Sequence, residues 1–409
     1  MLARPLLVQP GDMNTLFWLS VAAIGWSYVG YPAALLLWAG LGDTLSALRF
    51  VGGGPDRRLP AAAPLWPRVS VVFSAFDEEA WIRRKVENCL ALGYPPDRLE
   101  ILIGCDGCTD RTAQIAREVG GARVTVHELF PRSGKASVLS RLVPRAQGDL
   151  VVLTDANVML DPGALRALVR RFRDGAVGAV VGRLRLFNPT RKDFEETLYW
   201  RYETVVRYLE GKHGCALGAN GGIYAIRRLL FSPLPADTVT DDFVIPVRIA
   251  VRGWRVPVEP DAVAWEETTE DAGREFGRRA RIGAGNWQAL SRVPGLLDPR
   301  TGFLFLAFVS HKLLRWATPF LLGIAFLTCG VLAAAPGAWL YRTMLAAQLV
   351  FYVLAFLGRR GQRLTGTPRR IASLAHYFVA MNAALAVGLW RFLFGTQKPT
   401  WERTARRAA

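Results

Sequence analysis

Residues 99–110 read LEILIGCDGCTD. Leu99 to Cys105 is an apolar run of strand length. Asp110 then suits the N-cap of a helix whose spacing continues to Val119. Its side chain can accept hydrogen bonds from free N–H groups, and its charge suits the positive end of the helix dipole. A strand followed by polar residues and a helix is half of a βαβ unit.

The same alternation extends both ways. Val69 to Phe73 (VSVVF), Val124 to His127 and Leu150 to Thr154 (LVVLT) read as further buried strands. Glu78 to Leu92 has helical spacing, and Asp161-Pro162 starts another helix with proline in its first turn. Alternating strands and helices predict an α/β domain with a largely parallel sheet. Ligands of such sheets bind beyond the C-terminal strand ends, so Asp77, Glu78, Asp106 and Asp155 are the polar residues that matter.

The flanks are different. The chain combines a net charge of +17 with 51% hydrophobic residues. Nucleic-acid-binding proteins of such charge are usually polar; this pairing fits a membrane protein with a basic cytoplasmic side. Five cysteines in 409 residues exclude a disulfide scaffold. Leu16 to Leu41 carries no charge and is long enough to cross a bilayer. It is too long and too rich in tryptophan for a signal peptide. Arg49, Arg57 and Arg58 put the following residues in the cytoplasm. Near the C-terminus, Pro319 to Ala335, Trp339 to Leu357 and Ile371 to Leu389 read as spans. Phe303 to Trp316 carries His311, Lys312 and Arg315, which predicts an interfacial helix.

The expected organisation is therefore a tail (1–15), a transmembrane helix (16–41) and a linker (42–67). A cytoplasmic α/β domain (68–300), an interfacial helix (301–316), C-terminal transmembrane helices (317–395) and a second tail (396–409) follow. The final Lys398, Arg403, Arg406 and Arg407 conflict with an external tail.

Several motifs are excluded. Lys135 follows Ser133-Gly134, but Leu129 and Ala136 break the P-loop pattern. Gly218 to Gly222 lacks dinucleotide-binding spacing. Cys105 and Cys108 have no second pair for a thiolate metal site. The carboxylates carry more. Asp155-Ala156-Asn157 follows a strand directly, and its oxygens suit Mg2+ or Mn2+ on a diphosphate, or else cap the next helix. Asp241 and Asp242 precede the helical run Phe243 to Val251 as a catalytic or a capping pair.

Together these residues resemble membrane-embedded family 2 glycosyltransferases, the GT-A group that includes bacterial cellulose, hyaluronan and poly-N-acetylglucosamine synthases. VVFSAFDEE (71–79) looks like the opening strand and its YNEE turn, and GCDGCTD (104–110) looks like DDGSxD. Gly134-Lys135-Ala136 matches GKA, Asp155-Ala156-Asn157 occupies the DxD position, and Thr240-Asp241-Asp242 looks like TED. Arg278 to Ile282 occupies the QxxRW position.

The resemblance implies a GT-A, Rossmann-like mixed sheet flanked by helices. It implies that Asp77, Glu78 and Asp106 hold uracil and ribose, and that Lys135 contacts the diphosphate. Asp155 and Asn157 would bind the divalent metal, with Asp242 as general base. Asn220, Gly221, Asp241, Arg278 and Arg281 would lie on the acceptor and diphosphate side. The implied reaction is inverting transfer from a UDP-sugar to a glycan, as in exopolysaccharide synthesis at a bacterial inner membrane, in contact with lipids and with export proteins as partners. Single-sugar transfer to a lipid and an inactive sensor fold are the alternatives. Asn157 removes one acid from DxD, and Ile282 removes the tryptophan of QxxRW, for which Trp287 is the nearest replacement.

Overall fold

The computed structural model describes residues 10–51, 66–187, 194–219, 221–267, 272–359, 366–398 and 400. The chain opens with α1 (Pro10–Gly25), a short π-helical turn, and α2 (Tyr31–Val51). The helix therefore begins before Leu16 and continues past Leu41, so 42–51 are helical rather than linker; Gly52 to Pro64, the expected linker core, lies outside the described residues.

The α/β domain alternates as expected. Its first half runs β1 (Val69–Ala75), α3 (Glu79–Leu90), β2 (Leu99–Asp106), α4 (Thr112–Gly120), β3 (Val124–Leu129), α5 (Lys135–Leu142) and β4 (Leu150–Thr154). Its second half runs β5 (Val158–Leu160), α6 (Ala164–Arg171), β6 (Ala179–Phe187), α7 (Phe194–Lys212), β7 (Ile223–Arg227), α8 (Asp241–Val251), β8 (Val258–Glu267) and α9 (Ala272–Arg292).

The eight strands form one sheet in the order β3-β2-β1-β4-β7-β6-β8-β5. β1 to β4 pair in parallel, whereas β7 runs antiparallel to both β4 and β6. The sheet is thus mixed. Every residue of β1 is buried, as a central strand covered on both faces requires. Its side chains alternate between two cores: Val72 joins the one that contains α5 and α8, and Val71 and Phe73 join the one under α3 and α6. Strand order reverses at β1, so the cleft opens beyond the ends of β1 and β4.

After the domain, α10 (Phe303–Ala307), a π-helical turn over Phe308–Leu313 and α11 (Leu314–Ala333) form one continuous helical stretch. The expected separate interfacial helix over 301–316 is absorbed into it. Its charges turn inward: Glu203 of α7 accepts from Lys312 (2.6 Å) and Arg315 (2.8 Å), and His311 sits between Glu203 (3.0 Å) and Glu210 (2.7 Å). Burial alone would raise the Glu203 carboxyl, but His311, Lys312 and Arg315 hold it well below its usual range. Tyr31 Oη donates to Glu210 (3.1 Å) and Tyr202 Oη donates to the Tyr28 carbonyl (2.9 Å), which ties α2 to the same cluster.

α12 (Trp339–Arg359) and α13 (Gly366–Leu393) complete the chain. Four helical stretches among the described residues are long and apolar enough to cross a membrane: 11–41, 303–333, 339–359 and 366–393. Many of their apolar side chains, including Leu19, Leu37, Leu327 and Val353, face outward. The last stretch also lies along α9. A Cβ on Gly388 would come within 2.7 Å of the Ala284 nitrogen and 2.8 Å of the Ala280 carbonyl oxygen, so only glycine allows this approach.

Candidate active site

A cavity of about 1940 Å³ opens at the ends of β1 and β4 and extends between α7, α9, α12 and α13. Lys135, the first residue of α5, projects into it. Its Nζ lies 2.7 Å from Asp155 Oδ1 and 3.1 Å from Asp241 Oδ2. Burial pulls its pKa down, but Asp155, Asp241 and Asp242 outweigh that and hold it above the ordinary lysine value.

Asp106 prepares this arrangement from behind. It is fully buried at the end of β2, and its carboxylate accepts from the N–H of Ser133 (2.7 Å) and of Gly134 (2.8 Å). Expected to hold the nucleoside, Asp106 instead spends both oxygens on the turn that presents Lys135, and it does not line the cavity. Asp77 is likewise engaged: its Oδ1 accepts from Thr109 N–H (2.7 Å), joining the first βα turn to the second. Asp77, Cys108 and Asp110 are close enough together to suggest a metal site. However, Asp110 already accepts from the N–H groups of Thr112 (2.9 Å) and Glu79 (3.1 Å), so these oxygens serve the loops. The N-cap position of α4 is Arg111 rather than the expected Asp110, which accepts from the first helical N–H from one residue before it. Glu78, the residue after Asp77, does line the cavity.

Asp155 follows β4 directly, and Asp241 and Asp242 form the first turn of α8. Gly221 lies between them at φ 71°: a Cβ there would come within 2.9 Å of Asp155 Oδ2 and 3.6 Å of Asp242 Oδ2. The two carboxylates therefore face one small space that a side chain would fill. Asp242 is pushed up to about 6, first by burial and then by the neighbouring Asp241. Asn220 lies outside the described residues.

The floor beneath Asp155 is held by residues that motif reading missed. Lys85 of α3 is fully buried and donates to Thr154 Oγ1 (3.3 Å) and to the Val158 carbonyl. Thr154 Oγ1 in turn donates to the Gly222 carbonyl (2.7 Å), and Asn88 bonds both backbone groups of Leu160. The spacing of Lys85 and Asn88 on one helix face was the available signal; their targets are long-range. Asn157 Nδ2 donates to Glu266 Oε1 at 3.0 Å.

On α9, Arg281 faces the Asp155, Asp241 and Asp242 charges, whereas Arg278 turns to Glu275 (2.8 Å). Arg279 also bonds Glu275 (2.6 Å) and sits over the Tyr199 and Trp200 rings. Trp287 does not line the cavity; it packs against Trp316 at 6.0 Å. Trp316, Tyr199 and Trp200 supply the aromatic wall.

Asp155 and Asn157 offer hard oxygen donors beside a lysine and an arginine. That donor set fits Mg2+ or Mn2+ carrying a diphosphate. With a raised carboxylate in the same cavity, the arrangement suits displacement of a diphosphate by a hydroxyl.

The chain is similar to known proteins. A family model described as glycosyltransferase like family 2 matches residues 67–285. The β-monoglucosyldiacylglycerol synthase of Synechocystis is 28% identical over 269 residues, 62% of this chain and 56% of that protein. The poly-β-1,6-N-acetyl-D-glucosamine synthase of Staphylococcus aureus is 24% identical over 232 residues, covering 55% and 56%. The chain spans little more than half the length of these curated relatives. Among solved structures, the mannosyltransferase PcManGT from Pyrobaculum calidifontis, in complex with GDP-Man and Mn2+, shares the fold with a TM-score of 0.64. It is 24% identical, covering 93% of this chain and 99% of that one.

Proposed function

The chain belongs to the family 2 glycosyltransferases, and from that premise we propose that it moves a sugar from a nucleoside-diphosphate sugar, with UDP as the expected carrier, to an acceptor hydroxyl with inversion. The observation that carries this reading is the meeting of Lys135, Asp155 and Asp242 around one cavity.

Asp242 takes the proton of the acceptor hydroxyl. The freed oxygen lone pair forms the new bond to the anomeric carbon as the bond to the diphosphate breaks on the opposite face. Lys135 and Arg281 receive the negative charge that develops on the leaving group. A divalent cation, held by Asp155 and Asn157, would supply further charge stabilisation when bound. Glu78, which lines the same cavity, would hold the nucleoside. Incubating purified protein with UDP- and GDP-sugars tests the reading. Nucleoside diphosphate release should vanish in Asp242→Asn and in EDTA; release that survives both changes sinks it.

A growing glycan, as in exopolysaccharide synthesis, is the first acceptor reading. A lipid acceptor is favoured by one observation: the cavity continues past the acids to Phe351, Leu354, Leu374 and Phe378 on α12 and α13. Product size separates them: a ladder of lengths, or one sugar on a lipid.

For topology, we read α13 as lying along the inner membrane face against α9. Arg391, Gln397 and Lys398 line the same cavity as Asp155, which supports this placement. Three crossings (11–41, 303–333 and 339–359) then leave the domain and the basic tail together in the cytoplasm, as the charge rule asks.

A further inference from the structure

Asn157 stands where the resemblance leads one to expect an acid, and its neutral amide removes one negative charge from the site. The fold brings a carboxylate to that place from a distant strand. β5 pairs antiparallel with β8, which sets Val158 opposite Glu266. Asn157 Nδ2 then donates to Glu266 Oε1 at 3.0 Å, and both residues line the cavity with Asp155. This bond uses only the amide nitrogen, so the carbonyl oxygen of Asn157 is not consumed by it.

A second observation points to a polar ligand in the same cavity. Thr240 and Ser74 are each 6% exposed and line this cavity. The hydroxyl of each has no hydrogen-bond partner among the described residues. Buried polar atoms of this kind are normally satisfied, so a polar ligand completes the site.

We propose that Glu266 is the replacement acid: it supplies the second carboxylate of the cation–diphosphate site, and Asn157 orients it. The two departures belong together. An aspartate at 157 would face Glu266 across a hydrogen-bond distance as a like charge, whereas asparagine turns that contact into attraction. Arg278, bonded to Glu275, also feels the Glu266 charge. The assignment rests on the transferase reading above.

The test is Mn2+ binding to the full-length protein in detergent with UDP or GDP present, followed by the electron paramagnetic resonance signal of free Mn2+. Glu266→Gln keeps the shape and the hydrogen bond but removes the charge. Its Mn2+ dissociation constant should rise at least about tenfold, the lower end of what losing a group around a metal site costs. In Asn157→Asp/Glu266→Gln the charge returns to the other side of the same pair, and affinity should recover to near the wild-type value. A single variant that binds Mn2+ like wild type, or a double variant that folds and does not recover, overturns the assignment alone. Wild-type protein that holds no Mn2+ with either nucleotide overturns the transferase reading with it.

Discussion

Lys135 Nζ lies 2.7 Å from Asp155 Oδ1, joining the first turn of α5 to the end of β4 across the mouth of the cavity. This pair places a cation beside the carboxylate where a diphosphate would dock. Lys135→Met should lower kcat/KM by roughly 10²- to 10³-fold, the usual cost of losing one group that stabilises transition-state charge. Steady-state kinetics with a saturating metal check it; a loss below threefold would remove Lys135 from the mechanism.

Asp242 acts only when deprotonated, and its pKa is pushed up to about 6. The rate should therefore rise with pH through about 6 and fall roughly tenfold per unit below it. A pH profile of kcat/KM shows this limb. Asp242→Asn should abolish the limb together with at least about 10² of the rate.

Asp106 serves the Lys135 turn. Asp106→Ala orphans the buried N–H groups of Ser133 and Gly134, at about 1–3 kcal/mol each. The thermal midpoint should drop and the donor KM should rise together. A higher KM with no change in midpoint would mean that Asp106 touches the donor instead.

Gly388 lets α13 lie so close to α9 that a Cβ there would come within 2.8 Å of the Ala280 carbonyl oxygen. Gly388→Val forces the helices apart, at about 1–3 kcal/mol of overpacking. Arg281 rides on α9, so turnover should fall several-fold while calorimetry still detects nucleotide binding by the β1–β4 half. Unchanged turnover would detach α13 from the site.

The reading of α13 as a surface helix puts the C-terminus on the domain side. In inside-out membrane vesicles, whose cytoplasmic face is outward, a C-terminal tag should be cleaved by added protease. Protection of the tag there, with cleavage in spheroplasts, would make α13 a crossing.

The first four strands were legible because each is a short apolar run with an acid or glycine at its end. Val69, Leu99, Val124 and Leu150 each begin both the run and the observed strand. β5 to β8 were not read. Arg183 and Arg185 interrupt β6, and β5 is three residues long, so neither shows a run that periodicity can detect. Among the site residues, Lys135, Asp155, Asp242 and Arg281 do meet in one cavity. Asp106 and Asp77 carried the right motif but turn their oxygens to loop N–H groups, a use that depends on segments that contact them only in three dimensions.

The sequence by itself determined the α/β alternation, the apolar flanks and the identity of the acids at the strand ends, because these follow from local spacing and composition. Only the tertiary structure decided that Glu203 and Glu210 pair with His311, Lys312 and Arg315 inside the helical stretch expected to lie on the surface. It alone brought Glu266 to Asn157. The reason is the same in both cases: a charge more than a hundred residues away costs nothing to the local pattern, yet it sets which buried group is paired and which faces the ligand.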